Sequence, residues 1–251
     1  MKIISVVCLL SAIAFSQIVQ QVAGTVGATG AVTAIINTEG TPTSGLTSTT
    51  LTLTFTNNLF SGSGVVVGVR TTVGSVGATC PVISLADNAS GGSNTYTFDI
   101  TYTDTVDLSE CVYIARAPVT HNISGGSTVL TLTVNGFSYW DLAAYSMSAM
   151  LSSPVDVSAT AHQGFGTAHS VGPTSNTTAS DSCFAIDGLN NSTYGPFTNG
   201  SGFGSQQFVT DAEPAELVME AGNFGSGSAV TAGLTLTGNG KGTMALQCYK
   251  A

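Results

Sequence analysis

The sequence predicts an all-β fold: an immunoglobulin-like antiparallel β-sandwich and a second β-rich domain, preceded by an extended N-terminal strand. Apolar residues alternate with threonines along short segments, turn residues separate these segments, and no segment has a sustained helical period with caps. Successive side chains of a strand point to opposite faces, so β-branched and aromatic residues at a spacing of two favour half-buried strands.

The alternation is clearest in residues 51–56, 96–103, 130–134 and 234–237. Turns are predicted between such segments, at Asn57-Asn58, Gly91-Gly92, Asn135-Gly136 and Gly238-Asn239-Gly240. Short strands with this punctuation are typical of an antiparallel sandwich. The best helical candidate is residues 141–151, where Asp141 is suited to an N-cap, although Ala144 does not complete a capping box.

Residues 1–16 have the features of a secretory signal peptide. Lys2 provides a basic start, residues 3–13 are mostly apolar, and Ala14 and Ser16 suit cleavage before Gln17. The apolar run is shorter than the ~18 residues of a membrane span. We therefore expect a secreted chain with no membrane span after cleavage; a retained anchor helix is the alternative.

Four regions are expected along the chain. They are the signal peptide at 1–16, an N-terminal extension and linker at 17–44, a β-sandwich domain at 45–155, and a second β-rich domain at 156–251. The second domain is richer in glycine, and we expect it to loop between residues 160 and 206. A single interlaced domain is the alternative, because β-sandwiches of this length exist.

Composition limits the classes of function. The chain has fourteen acidic and five basic residues, and 8% of its residues are charged. Such a chain is repelled by phosphate backbones, so nucleic acid is not an expected partner. A hydrophobic fraction of 43% excludes a disordered acidic tail. Motifs of serine hydrolases, zinc proteases, P-loop proteins and paired-cysteine redox proteins are absent, so we expect neither an enzyme nor a cofactor.

Four cysteines follow the signal peptide, at Cys80, Cys111, Cys183 and Cys248. An even number behind a signal peptide indicates two disulfides formed in an oxidising compartment. Of three pairings, we favour Cys80 with Cys111 and Cys183 with Cys248, because each bond then lies within one half of the chain. A zinc site is the weaker alternative, since no CxxC spacing occurs.

Six sites match the N-glycosylation sequon: Asn88, Asn122, Asn176, Asn190, Asn191 and Asn199. Four of them crowd into residues 176–199. This crowding suggests a glycan-covered face if the host glycosylates the chain. Without glycosylation these are polar loop residues.

Residues 22–36 carry the main functional argument. The even-numbered positions are all apolar or glycine: Val22, Gly24, Val26, Ala28, Gly30, Val32, Ala34 and Ile36. The odd-numbered positions are mostly small and include three threonines. Extended, this segment would span ~50 Å, far longer than the usual strand of about 5–6 residues.

Two interpretations of this segment stay open. In the first, it is the opening strand of the chain's own sheet. In the second, it is a donor strand that leaves its own subunit and completes the sheet of another copy. The terminal position, the small side chains and the turn-rich linker at 37–45 favour the second, and glycines on the apolar face suit a close approach of acceptor atoms.

The signal peptide, the alternating extension with Gly30 in mid-strand and the threonine-rich body resemble donor-strand-exchange pilus and fibril subunits. The general character is similar to that of extracellular fibril proteins recovered from environmental water samples. The resemblance covers residues 17–155 at the level of pattern. It departs from chaperone–usher pilins at residues 247–251, which lack their alternating C-terminal strand with a penultimate aromatic residue.

Other residues with chemical potential have simpler structural explanations, which we favour. Surface or structural roles, and no metal, are expected for His121, His162 and His169. Asp104, Asp107 and Glu110 follow one another at three-residue intervals and could gather around Ca²⁺, but a solvated acidic turn is the favoured interpretation.

An acidic run and a group of aromatic residues also have chemical potential. The acidic run formed by Asp211, Glu213, Glu216 and Glu220 is expected in a hydrated loop or at a subunit rim. Tyr139, Trp140 and Tyr145 could form a sugar-stacking platform, although a core position is favoured for Trp140.

The sequence therefore predicts a structural subunit of an extracellular fibril or pilus-like filament. Its partners would be other copies of itself in a linear or helical homopolymer, with covalent glycans if the host adds them. A monomeric secreted carbohydrate-binding or adhesive module is the alternative.

Overall fold

A computed structural model describes residues 33–46, 49–135, 139–190, 197–210 and 215–251. These residues form strands, turns and loops, and none of them is helical. Accordingly, no helix that could cross a membrane is found in this part of the chain. The predicted signal peptide and residues 22–32 of the predicted donor strand lie outside the described residues.

The strands are numbered in chain order. They are β1 (Ile36–Leu46), β2 (Thr50–Thr54), β3 (Gly64–Thr72), β4 (Ile83–Asp87), β5 (Thr97–Thr103), β6 (Glu110–Pro118), β7 (Val129–Val134), β8 (Tyr139–Met147), β9 (Val155–Val171), β10 (Asp181–Asn190), β11 (Thr198–Asn199), β12 (Ser205–Thr210), β13 (Ala215–Phe224) and β14 (Ala232–Lys250).

These strands form three antiparallel sheets. The central sheet has the order β1-β8-β3-β6-β5, and the three-stranded sheet has the order β2-β7-β4. The C-terminal sheet has the order β11-β14-β10-β13-β12, and β9 also pairs with β14. The predicted all-β, sandwich-type architecture is confirmed.

The central sheet is buried on both faces. Val65, Val67 and Val69 of β3 pack in a core shared with the three-stranded sheet. Val66 of the same strand packs in a second core, shared with the C-terminal sheet. Gly68 also faces that second core, where a β-carbon would approach the sulfur of Met219 to 2.8 Å. Each fully buried valine contributes ~1.5–3 kcal/mol, so the inner strands supply much of the driving force for folding.

The helix suggested for residues 141–151 is wrong. Residues 139–147 form β8, the strand between β1 and β3 in the central sheet. Leu142 and Ala144 pack in one core, whereas Ala143 and Tyr145 pack in the other. Because both faces of β8 are covered, its sequence does not alternate between apolar and polar residues, and even Asp141 and Ser146 are buried.

The C-terminal sheet differs from expectation at two places. Much of the range 160–206, expected to loop, is strand: residues 160–171 belong to the long strand β9, which pairs along much of β14, and residues 181–190 form β10. Residues 238–240, predicted to be a turn, lie inside β14. The pairing of β14 with β9 shifts register between Thr235 and Gly240, so these flexible residues bend a strand instead of ending it.

The structure contains the disulfides Cys80–Cys111 and Cys183–Cys248, the pairing favoured from the sequence. Cys80 precedes β4 and is bonded to β6, so the first disulfide joins the three-stranded and central sheets. Cys183 and Cys248 are direct cross-strand partners on β10 and β14, with α-carbons 4.0 Å apart. Disulfides persist in oxidising compartments, and both are consistent with a location outside the cytosol.

Thr33–Ala251 forms one compact unit. Within it, strands up to Met147 build the central and three-stranded sheets, and strands from Val155 onward build the C-terminal sheet. The core between the central and C-terminal sheets includes Tyr145 and Phe184, whose ring centroids are 5.8 Å apart. The division into two domains near residue 155 stays a prediction.

Candidate subunit interface

Only the last part of the predicted donor strand lies among the described residues. Ile36 pairs with Met147 at the start of β1, and Ala34 is buried against the C-terminal sheet, where its carbonyl accepts a hydrogen bond from Asn223 at 3.0 Å. Ala34 and Ile36 thus pack within the chain's own body, as the alternative interpretation expects. The remaining positions, from Val22 to Val32, lie outside the described residues.

The three-stranded sheet has an edge at β2. Leu51 and Leu53 are buried in the core, whereas Thr50, Thr52 and Thr54 are exposed, which matches the predicted alternation. Among the described residues, β7 is the one strand that pairs with β2.

The backbone of β2 turns half of its polar groups away from β7. The amide of Phe55 donates to the carbonyl of Thr128, and the carbonyl of Thr49 accepts from Val134. Odd-numbered residues therefore face β7, and since strand backbones alternate, the amide and carbonyl groups of Thr52 and Thr54 point to the opposite edge.

A groove of about 600 Å³ runs beside this edge. Its walls, which define the β1–β2 groove, are residues 40–43 of β1, residues 52–56 and Gly126. β1 bows out of the central sheet here, because its pairing with β8 shifts register between Glu39 and Thr43. Gly40 has a φ of 60°, and a β-carbon on it would lie 2.5 Å from the carbonyl oxygen of Thr54. One wall of the groove thus requires glycine.

Glu39 holds β1 against the segment that follows β2. Its carboxylate accepts hydrogen bonds from the amides of Thr56 and Asn57 at 2.9 and 3.0 Å, and from the hydroxyl of Ser146 at 2.5 Å. Glu39 is fully buried, and buried carboxylates are stable only where such donors satisfy them.

A side chain from the C-terminal sheet compensates for the bulge in β1. Gln207 of β12 accepts a hydrogen bond from the amide of Ala144 at 3.1 Å and donates one to the carbonyl of Glu39 at 3.3 Å. It bridges backbone groups that the bulge separates. All three sheets therefore meet along β1.

The predicted acidic trio does not converge on one site. Asp104 is buried and accepts hydrogen bonds from the amides of residues 106–108, whereas Glu110 contacts Arg70 inside the protein. The Ca²⁺ arrangement of Asp104, Asp107 and Glu110 is therefore wrong. The favoured solvated turn holds for Asp107, which is exposed.

Asp104 and Asp107 instead gather with His162 of β9. The Nδ1 atom of His162 lies 2.6 Å from Asp104 Oδ2, and Lys241 Nζ lies 2.5 Å from Asp107 Oδ2. One potential ligand atom from each of the two aspartates and His162 lies within 4.8 Å of the others. With an ammonium group already beside Asp107, this cluster is explained as polar contacts that tie the β5–β6 loop to β9 and β14.

The sugar-stacking platform is wrong, and the core position favoured for Trp140 is confirmed. Trp140 is 1% exposed and Tyr145 is fully buried, and the two side chains pack in different cores because neighbouring residues of β8 face opposite sheets. Tyr139 is partly exposed, so the three rings share no surface.

The second acidic run is also placed differently from the prediction. Glu216 and Glu220 lie on β13 and are 4% and 3% exposed, not in a hydrated loop. Glu220 accepts a hydrogen bond from the amide of Gly200 at 3.0 Å, and burial raises its pKa to about 7. Asp211 and Glu213 lie outside the described residues.

Two buried ionic groups were not predicted. In the central sheet, Arg70 Nη1 donates to Asp141 at 3.2 Å and Arg70 Nη2 donates to Glu110, all three residues lying in the interior. One feature of the sequence could have indicated this group: the charged residue Arg70 directly follows the apolar run at residues 65–69.

The second unpredicted group joins His169 of β9 to Asp187 of β10. The Nδ1 atom of His169 lies 2.7 Å from Asp187 Oδ2, and its Nε2 atom lies 3.2 Å from the carbonyl of Gly240. Burial lowers the pKa of His169, but the hydrogen bond and charge of Asp187 outweigh that effect and raise it overall. His169 has the structural role expected for it. His121 is partly exposed beside Gly91 and Gly92.

The described sequons lie at or near the surface. Asn88, Asn122 and Asn176 are exposed, and Asn199 is partly exposed on β11. Asn190 ends β10, and Asn191 lies outside the described residues.

Comparisons with protein-family models, with curated proteins and with solved structures found no match. The fold and the candidate interface define the chain as an all-β, disulfide-bonded protein in which β2 pairs, among the described residues, with β7 alone.

Proposed function

We propose that this chain is a structural subunit of an extracellular fibril, in which residues 22–32 of one copy insert into the β1–β2 groove of another. The observation that carries this proposal is the edge of β2, whose outward backbone groups line a groove large enough for a short extended segment. Adding a strand to an exposed edge is a common way of binding extended peptides.

The chemistry of residues 22–32 suits that edge. β2 places leucines inward and threonines outward, and residues 22–32 have the same two faces, with valines on one and threonines on the other. At ~3.3 Å per residue the segment reaches about 35 Å, longer than β2. Gly24, Ala28 and Gly30 are small enough to approach the groove wall formed by residues 40–43 closely.

Such a contact would propagate. Donor and acceptor are different surfaces, so head-to-tail repetition builds a filament unless the ring closes. Each backbone hydrogen bond to β2 would contribute ~0.5–1.5 kcal/mol, and burial of valines would add to this. The structural role implies no enzymatic activity.

The first test separates the two halves of the contact. A variant lacking residues 17–32 retains only the groove. The variant Thr52→Pro retains only the strand, because proline removes an outward amide that β7 does not use. Neither variant should polymerise alone, and mixing them should give heterodimers by size-exclusion chromatography with light scattering.

Thr52→Val is the matched control, since it keeps the amide and the strand propensity. It should still form filaments visible by negative-stain electron microscopy. The proposal would be overturned if the full-length secreted protein stayed monomeric at high concentration, or if Thr52→Pro assembled as well as Thr52→Val. A monomer with glycan-binding activity would then favour the carbohydrate-binding alternative.

A further inference from the structure

Three neighbouring strands bring a lysine and two aspartates together at the end of the C-terminal sheet. Lys250 of β14 is the direct cross-strand partner of Asp181 on β10. On its other side β14 pairs with β9, where Tyr249 lies opposite Val155. Asp156 follows Val155, so all three side chains belong to the same corner of the sheet.

A β-bulge sets the position of Asp156. Gln247 pairs with Ser158 and Tyr249 pairs with Val155, so two residues of β9 lie opposite the single residue Cys248. Bulges of this kind redirect a side chain. As a result, Asp156 Oδ1 lies 3.5 Å from Lys250 Nζ.

Thr178 fixes the orientation of the Asp156 carboxylate. Its amide donates to Asp156 Oδ2 at 2.6 Å, and its hydroxyl donates to Asp156 Oδ1 at 2.7 Å. The side chain of Asp156 is 5% exposed, whereas that of Lys250 is 27% exposed. The two hydrogen bonds thus fix the orientation of the carboxyl group, next to an amine that reaches it from the surface.

Asp181 is the third residue of this corner of the sheet. It is 2% exposed, and neither of its carboxylate oxygens has a hydrogen-bond donor among the described residues. Burial raises the pKa of Asp181 to about 7, with a further rise from the adjoining carboxylate of Asp156 that Lys250 only partly offsets. For Asp156, burial is outweighed by the hydrogen bonds from Thr178, and its pKa is lowered. Of the two carboxyl groups, Asp181 therefore keeps its proton to the higher pH.

We propose that Lys250 and Asp156 become joined by an intramolecular isopeptide bond, with Asp181 as the acid–base group. Protonated Asp181 first gives its proton to the Asp156 carboxylate and takes up a proton from the ammonium of Lys250. The neutral Nζ then attacks Cγ of Asp156, and Asp181 relays a second proton from the nitrogen to the departing hydroxyl. One Cγ–O bond breaks, one Cγ–Nζ bond forms, and one water molecule leaves, so no external reactant is required.

The driving force for this condensation is proximity. Groups held at reacting distance can have effective molarities of about 10⁵–10⁸ M. A carboxyl group with a pKa near the working pH is suited to moving protons in both directions. The bond would link the end of β14 to the start of β9, beside the Cys183–Cys248 disulfide. It does not depend on the proposed assembly.

Peptide mapping of the full-length secreted protein tests this proposal. After reduction and alkylation, trypsin should release residues 242–250 as a free peptide if Lys250 is unmodified. We expect that peptide to be missing. Its sequence should instead be found, after a second digestion with an endoproteinase that cleaves after glutamate, attached to the Asp156 peptide at a combined mass lower by one water molecule. Reduction is essential, because the neighbouring disulfide would otherwise connect the same strands.

Three variants make the assignment specific. Lys250→Arg keeps a cation beside Asp156 but lacks a nucleophilic amine, so its C-terminal peptide should be released. Asp181→Asn removes the proton relay and should leave most of the chain unlinked. Lys241→Arg, on the same strand, is the matched control and should stay fully linked. Stoichiometric release of the free peptide from the wild-type chain would overturn the proposal and leave only an ion pair.

Discussion

Arg70 shows how a single buried cation can organise the interior of a chain that has few basic residues. It lies on β3 with no exposed surface, paired with Glu110 and Asp141 on the two neighbouring strands. Burial raises the pKa of Glu110 to about 7 even though the guanidinium opposes that rise. Gly188 of the C-terminal sheet packs over the group, where a β-carbon would lie 2.9 Å from Arg70 Cγ.

Replacing Arg70 with methionine should destabilise the protein strongly. The change leaves Glu110 and Asp141 buried without their cation, and breaking a buried ion pair in this way typically costs about 3–5 kcal/mol. The free energy of unfolding from urea titration measures the effect.

Lys241→Met is the matched control for this prediction. Lys241 and Asp107 are 35% and 36% exposed, and an exposed pair contributes about 0–1 kcal/mol. A loss for Arg70→Met no larger than that for Lys241→Met would show that the buried carboxyl groups do not need the arginine.

Among the structural elements, β1 is in contact with all three sheets. It pairs with β8, bows outward at residues 40–42, and contacts the end of β2 through Glu39 and the β12 strand through Gln207. The bulge both shapes one wall of the β1–β2 groove and leaves a backbone amide that a side chain must satisfy. A strand insertion at β2 would therefore be sensitive to how β1 is held.

Glu39→Met should loosen this attachment. Methionine has a similar length but accepts no strong hydrogen bond, so the amides of Thr56 and Asn57 lose their partner at a cost of about 1–3 kcal/mol. The midpoint of thermal unfolding should fall, and hydrogen exchange at Thr56 and Asn57 should become faster.

Ser146→Ala serves as the comparison for Glu39→Met. It removes one hydroxyl donor to Glu39 but leaves both backbone amides bonded, so it should cost less, at about 1 kcal/mol. If Glu39→Met were as stable as Ser146→Ala and exchange were unchanged, the clamp between β1 and the end of β2 would not exist in solution.

At the scale of the whole molecule, acidic residues outnumber basic ones, although only 8% of all residues are charged. The chain has fourteen acidic and five basic residues, and the side chains of Glu220 and Asp181 are among the buried acidic ones. Burial raises the pKa of Glu220 and of Asp181 to about 7 in each case. The folded chain therefore holds these protons more tightly than the unfolded chain does.

This difference predicts a stability that falls as the pH rises from about 5 to 8. A group with a raised pKa stabilises the folded state when protonated, and this contribution is lost as the pH passes through the folded-state pKa. For Glu220 the window lies between its ordinary value of 4.5 and about 7, at about 1.4 kcal/mol per pKa unit. Asp104 and Asp156, with lowered pKa values, act in the opposite sense only at lower pH.

Differential scanning calorimetry at pH 5 and pH 8 should show a higher unfolding midpoint at pH 5. Glu220→Gln should reduce the difference, because glutamine does not titrate and its oxygen can still accept from Gly200. Asp107→Asn, at an exposed site, should leave the difference unchanged. A midpoint that rose from pH 5 to pH 8 would contradict this account of the buried carboxyl groups.

The sequence by itself predicts the strands that have one face in water. The alternation at residues 51–56 and 130–134 predicted β2 and β7, because a threonine face opposite a leucine face arises when a sheet has one wet side. The even number of cysteines and their positions along the chain predicted the two observed disulfides. These features depend on local periodicity and on the order of residues along the chain.

The tertiary structure alone decided the rest. β3 and β8 are buried on both faces, so their sequences carry no period of two, and residues 141–151 became the best helical candidate although 139–147 form a strand. The β1–β2 groove, the contacts of Arg70 with Glu110 and Asp141, and the contact of Lys250 with Asp156 depend on strand register and on two bulges. A shift of one residue turns a side chain to the opposite face. Which distant side chains meet is therefore decided by sheet pairing, which local periodicity does not specify.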